Sequence, residues 1–151
     1  MEAYRLRIDE INMPSTVKSA RVLKVILDSN ALFVPLQFKI DIFEALKNLL
    51  NRSFELVLLS PILHEIERLA EEGSPKTRKD AEYALELAER CKLVEVNEIG
   101  VSPDDIIVEV AGEWSCPVFT NDIPLRKRLR DINVPVIYVR QKSRLEIEGR
   151  S

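Results

Sequence analysis

The chain has 151 residues, 46% hydrophobic and 31% charged, with four glycines, two cysteines and a formal net charge of −3. That length suits one domain able to bury roughly two-thirds of its unfolded surface, and the composition excludes low-complexity and disulfide-framework classes. The negative balance excludes bulk attraction to nucleic acid, so any such binding has to come from a local basic patch.

Residues 1 to about 20 form a polar lead with Pro14-Ser15-Thr16, expected to be an irregular extension. Met1-Glu2-Ala3-Tyr4-Arg5 lacks a basic-then-apolar signal and no apolar run approaches about eighteen residues, so a cytoplasmic protein with no membrane contact is expected. Val22-Leu23-Lys24-Val25-Ile26-Leu27 reads as a buried strand that ends abruptly in Asp28-Ser29-Asn30. A helix is predicted from about Lys39 to Asn51, with Ile40, Phe43, Leu46, Leu49 and Leu50 on one face. Phe54 to Leu59 is the next strand, and Ser60-Pro61 opens a helix as N-cap and N1 that Gly73 stops.

Ser74-Pro75 caps a further helix to about Cys91, and Leu93-Val94-Glu95-Val96 is a short strand. Ser102-Pro103 starts a helix ending near Trp114, followed by a strand over 117–120 and a short helix marked by Leu125, Leu129 and Ile132. Val134 to Val139 is the last strand. Beyond Arg140 the reading is a charged, loose tail over 141–151; Ile147-Glu148-Gly149-Arg150 matches a protease-tag recognition sequence, so part of it is expected to be an engineered remnant. Strands alternating with helices specify βαβ units and a parallel sheet covered on both faces. Cys91 and Cys116 are expected to be free thiols, although a bond between them stays open.

Acids fall where strands end or the following helices begin: Asp28 and Asp122 after two apolar strands, Glu65 after the 54–59 strand, Asp104 and Asp105 after Ser102-Pro103. In a parallel sheet these points share one edge. Clustered carboxylates retain protons unless a cation neutralises them, and hard divalent ions with oxygen ligands, Mg²⁺ or Mn²⁺, are the natural solution. Each acid also has a local explanation. Asp104 and Asp105 suit the helix dipole, Asp105 a capping box with Ser102, Glu65 a first-turn acid and Asp122 a helix cap. Asp28 is hardest to explain locally, because nothing regular obviously starts after it.

Asp28-Ser29-Asn30, Glu65, Asp104-Asp105-Ile106-Ile107 with Ala111, and Thr120-Asn121-Asp122, in this order and each after its expected element, resemble the PIN-domain nucleases over about residues 22–140. Val136-Ile137-Tyr138-Val139-Arg140-Gln141-Lys142 is similar to archaeal relatives of the Fcf1-type ribosomal RNA processing nucleases. The resemblance implies a three-layer α/β/α fold with a parallel five-stranded sheet in the order 3-2-1-4-5. It also implies Mg²⁺- or Mn²⁺-dependent endoribonuclease activity, with Asp28, Glu65, Asp104 and Asp122 as the metal-binding acids. Asp104 is preferred to Asp105 because Ile107 and Ala111 then share its helical face. Asn30, Asn121, Ser29 and Thr120 are expected to orient the carboxylates or to be ordinary turn residues.

Arg126, Lys127, Arg128 and Arg130 form a basic helix next to Asp122, with further basic groups at Lys76, Arg78 and Lys79 and at Arg140, Lys142 and Arg144. They are expected either to hold RNA phosphates or to form a solvated face. His64 is the sole histidine, so a zinc site or nucleophilic triad is excluded. Alternatives within the same fold are the toxin of a toxin–antitoxin pair and a non-catalytic RNA-binding scaffold. A phosphorylated Asp28 is disfavoured because no DxD follows the first strand. Homodimer formation stays open.

Overall fold

β1 (Leu23–Leu27) is the centre of the molecule: Val25, Ile26 and Leu27 expose no surface. A strand apolar on both sides pays its way only when both faces are covered, each buried side chain contributing about 1.5–3 kcal/mol. The computed structural model describes residues 22–97 and 99–149; the expected extension over 1 to about 20 lies outside them. After β1 come a 3-10 segment (Ser29–Phe33), α1 (Val34–Phe38), α2 (Ile42–Leu50), β2 (Phe54–Leu59), α3 (Ser60–Glu72) and α4 (Pro75–Ala88). β3 (Lys92–Val94), α5 (Pro103–Trp114), β4 (Val118–Phe119), α6 (Ile123–Asp131), β5 (Val136–Arg140) and β6 (Arg144–Glu148) follow.

The sheet order is β3-β2-β1-β4-β5-β6. The first five strands are parallel and stand in the expected order, while β6 is antiparallel to β5. Steps from β1 to β2 to β3 run one way and those to β4 and β5 the other. Right-handed crossovers therefore put α2, α3 and α4 on one face and α5 and α6 on the other; α3 packs on α4 and α5 on α6 accordingly. Among the described residues no helix is long and apolar enough to cross a membrane. Cys91 and Cys116 are free, and burial pushes their thiols up to about 11 and about 12.

Four local expectations are corrected. The sheet has six strands, because Arg144–Glu148 is not a loose arm: Leu145 and Ile147 alternate with charges and Leu145 is buried against the core. The turn before it places Gln141 and Lys142 at φ 54° and 59°, a backbone for which Asn or Gly is the usual signal, so the hairpin is hidden in the sequence. The helix expected from Lys39 begins at Ile42 instead. Lys39 is left-handed (φ 56°) and ends α1, and Asp41 caps α2 by accepting from the amides of Phe43 and Glu44 at 3.1 and 3.2 Å. Ser60 does not cap α3: its buried hydroxyl accepts from Val96 N at 2.8 Å and donates to Val96 O at 3.3 Å, tying the loop after β3 to the head of α3. Finally, a regular element does follow Asp28, as its site shows.

Candidate active site

The register places the first pair. Ile26 and Leu27 face Val118 and Phe119, so one step further Asp28 and Thr120 stand side by side at the carboxyl edge. Asp28 is 5% exposed. Its Oδ1 accepts from Ser29 N at 2.8 Å, and Oδ2 from Thr120 Oγ1 at 2.7 Å and Asn30 Nδ2 at 3.1 Å. Asp28 thereby caps the 3-10 segment over Ser29–Phe33, which corrects the expectation that nothing regular starts there. Neutral donors occupy three of about four accepting positions of the carboxylate, and no cation is paired with it among the described residues. Burial, more than the nearby Asp122 charge, raises its pKa against the lowering effect of those donors.

Glu65 comes from the second turn of α3, half-buried. Desolvation and then the charges of Asp28 and Asp104 push its carboxyl up, while the neighbouring Ser29 side chain and Arg68 oppose the shift. Ser29 thus gives its backbone N–H to Asp28 while its side chain lies in the surroundings of Glu65. Asp104 lies in the first turn of α5. Desolvation raises its pKa first, then Asp28 and Asp122, with Arg128 opposing. Asp122 caps α6, its Oδ2 accepting from Leu125 N at 3.1 Å. One carboxylate oxygen is spent on the cap, so the local and the functional reading of this residue coexist. Asp105 faces out and pairs with Arg128 at 2.9 Å; Asp104 is the member of the pair that shares the field of the other acids.

The amides form a frame behind the carboxylates. Asn30 Oδ1 accepts from Asn121 N at 3.0 Å, and Asn121 Oδ1 accepts from Val139 N at 2.8 Å. Thr120 Oγ1, fully buried, also accepts from Asp122 N at 3.1 Å. The loops after β1 and β4 and the strand β5 are thus laced together, leaving Asp28 and Asp122 little freedom to separate.

The basic helix, expected either to hold RNA phosphates or to form a solvated face, is largely engaged in ion pairs. Arg126 Nη2 reaches Glu148 at 3.1 Å and its guanidinium lies 3.9 Å from the Tyr138 ring centroid. Arg130 joins Glu148 at 3.5 Å and Arg128 is held by Asp105. Lys127 is exposed and has no ion-pair partner among the described residues. The reasoning from sequence missed Glu148 because it missed β6, although the alternation Arg144-Leu145-Glu146-Ile147-Glu148 was the available signal. His64 is exposed, with no part in the acid group.

An oxygen-only donor set of four acids suits a hard divalent ion rather than zinc or copper. Burial first, with the neighbouring carboxylates adding to it, pushes up the carboxyls of Asp28, Glu65 and Asp104. Among the described residues no three acidic, His or Cys side chains close on a single point as a ready-made cage. The four acids nonetheless feel one another's charge. They fit such an ion by chemistry and by charge.

Fold and site together define a doubly wound α/β domain with an anionic mouth at the carboxyl edge of its parallel strands. Residues 25–142 match the model of the PIN like domain family, and the chain belongs to that family. It is 35% identical over 127 residues to Ribonuclease VapC4 of Methanocaldococcus jannaschii, covering 83% of this chain and 97% of that protein. Ribonuclease VapC9 of Archaeoglobus fulgidus is 25% identical over 131 residues, with 87% and 93% covered. The solved structure of the PIN domain endonuclease Utp24 superposes with a TM-score of 0.72 at 30% identity, covering 84% of this chain and 92% of that one.

Proposed function

We propose that this chain is a divalent-metal-dependent endoribonuclease that hydrolyses RNA phosphodiester bonds. The observation that carries the reading is Asp28: a carboxylate buried at a strand end, held by neutral donors, and within the field of Glu65, Asp104 and Asp122. Burying a charged carboxylate costs stability beyond what a cap requires, which favours a functional role over a scaffold. The names of the VapC ribonucleases support RNA cutting, and that of the Utp24 endonuclease supports cleavage within a strand.

Asp28, Asp122, Asp104 and Glu65 would hold the Mg²⁺ or Mn²⁺ ion. When bound it supplies positive charge against the carboxylates and the scissile phosphate and increases the acidity of nearby water. Glu65, with its carboxyl raised above the usual range, is the group suited to take the proton of an attacking water. The water oxygen bonds to phosphorus, the bond to the 3′ oxygen breaks, and a proton reaches that oxygen, leaving a 5′-phosphate and a 3′-hydroxyl. Thr120 and the backbone N–H of Ser29 keep Asp28 aligned.

The test is cleavage of end-labelled RNA by wild type and Asp28→Asn in Mg²⁺, Mn²⁺ and EDTA. Expected is metal-dependent cutting by wild type and none by the variant, with an unchanged circular dichroism spectrum. Full activity in the variant rejects the assignment.

A further inference from the structure

We propose that the cavity between α1, the start of α2 and the end of α4 is a nucleotide subsite, taking one base and its phosphate from an RNA strand; it rests on the ribonuclease reading above. The cavity encloses about 300 Å³, at the small end of the range for ligand pockets. Its lining brings together two cations, Lys39 and Arg90, the rings of Phe43 and Tyr83, and apolar walls from Pro35 and Leu87. Neither cation has an ion-pair partner among the described residues. Asp41, the acid on this lining, is already committed to the amides of Phe43 and Glu44. The head of α2 is therefore satisfied, and an anion entering here meets the two side-chain cations.

The geometry favours a nucleotide over an acidic peptide. Arg90 lies 3.5 Å from the Phe43 ring centroid. A guanidinium backed by a ring is a flat platform, and nucleobases stack on arginine planes as well as on aromatic rings. Tyr83, 39% exposed, adds a second ring open to a ligand. Lys39 stands in the left-handed turn between α1 and α2, at the rim where a phosphate joined to a stacked base would lie.

β1 carries the chain to the carboxyl edge, and α1 and α2 lead it back to begin β2. The first turn of α2 meets the segment after α4 through Phe43 and Arg90. Arg126, Arg128 and Arg130, beside the acids, are committed to Glu148 and Asp105. A chain of net charge −3 has to hold RNA phosphates with other cations, and Lys39 and Arg90 are two that share a concavity.

The test is a titration of the full chain, isotope-labelled and in EDTA, with uridine 5′-monophosphate, followed through the ring resonances of Phe43 and Tyr83. Inorganic phosphate and a poly-glutamate peptide are titrated in parallel. Expected are saturable shifts at both rings with the nucleotide, weakened about tenfold in Lys39→Ala and in Arg90→Ala. Arg90→Lys, which keeps the charge and guards against misfolding of the alanine variant, should bind phosphate as before but lose the preference for the nucleotide. Asp28→Asn should bind the nucleotide like wild type, so an active Asp28→Asn enzyme would refute the catalytic assignment while leaving this site standing. Absence of saturable shifts, an equal or stronger response to the peptide, or binding unchanged in both alanine variants overturns the subsite.

Discussion

Thr120 gives its hydroxyl proton to Asp28 Oδ2 at 2.7 Å while its oxygen receives the amide of Asp122 at 3.1 Å. One buried hydroxyl thus sets the spacing of two acids that are 94 positions apart in the chain. Thr120→Val keeps the shape and removes both bonds, leaving a buried acceptor and a buried donor short of a partner. A loss of about 1–3 kcal/mol in urea unfolding is expected, with RNA cleavage falling about 10–100-fold, the scale on which residues behind metal ligands act. Thr120→Ser should restore most of both. Wild-type kcat in the valine variant would remove Thr120 from the machinery.

The pH dependence follows from three raised carboxyls, Asp28, Glu65 and Asp104. Folding raises each above its ordinary 3.8 or 4.5. The stability they contribute is therefore complete below those values and lost as the pH climbs through the folded-state ones. Metal-free protein should lose Tm relative to Asp28→Asn over that interval. Mn²⁺ should return more Tm at about pH 8 than at about pH 5, since binding competes with protons. Equal Mn²⁺ stabilisation at both would show that the ion does not bind these acids.

Asp104 and Asp105 are adjacent yet face different partners, the acid group and Arg128. Asp104→Asn should cut the cleavage rate by at least about tenfold. Asp105→Asn breaks only an exposed ion pair, worth about 0–1 kcal/mol, and should leave kcat within about twofold. Parallel kinetics decide it; the reverse ranking would transfer the role to Asp105.

Arg126 supports the sheet through Glu148 and Tyr138. Arg126→Ala should cost about 1–3 kcal/mol, because a half-buried cation–π contact and a charged hydrogen bond go together. The salt dependence of RNA affinity should not move with it. Lys127→Ala, on the exposed side of α6, should leave stability alone and lower the slope by about 0.7 for each lost phosphate contact. Binding isotherms across salt concentrations separate the two; a lowered slope in Arg126→Ala would return that residue to the RNA surface.

Most elements announce themselves locally. β2 matches its apolar run to the residue, α5 runs from the Ser102-Pro103 signal to Trp114, and Gly73 ends α3. Caps and periodicities are settled within a few residues, so a single chain displays them. The elements that escape notice are those whose local cues are weak: the 3-10 segment and α1 after Asp28, too short for a periodic stripe, and β6, whose short alternation follows a turn without Asn or Gly.

The acids divide in the same way. Their positions after strand ends are visible as residue types in order, and the order points to a shared edge. The identity of the acid that turns inward at 104 or 105, and the engagement of the basic helix by Glu148, depend on packing between α5, α6 and β6.

By itself, then, the amino-acid order determined most of the strands and helices, that the first five strands are parallel, and that β1 and β4 lead into acids, since all of this follows from hydrophobic period and end signals. Only the tertiary structure decided that Asp28 sits beside Thr120, that Asp28 and Glu65 feel each other's charge, and that Lys39 meets Arg90 at one cavity. The physical reason is register: a hydrogen bond between residues 92 positions apart exists only once sheet pairing has placed the two strand ends side by side, and nothing within either local segment encodes that pairing.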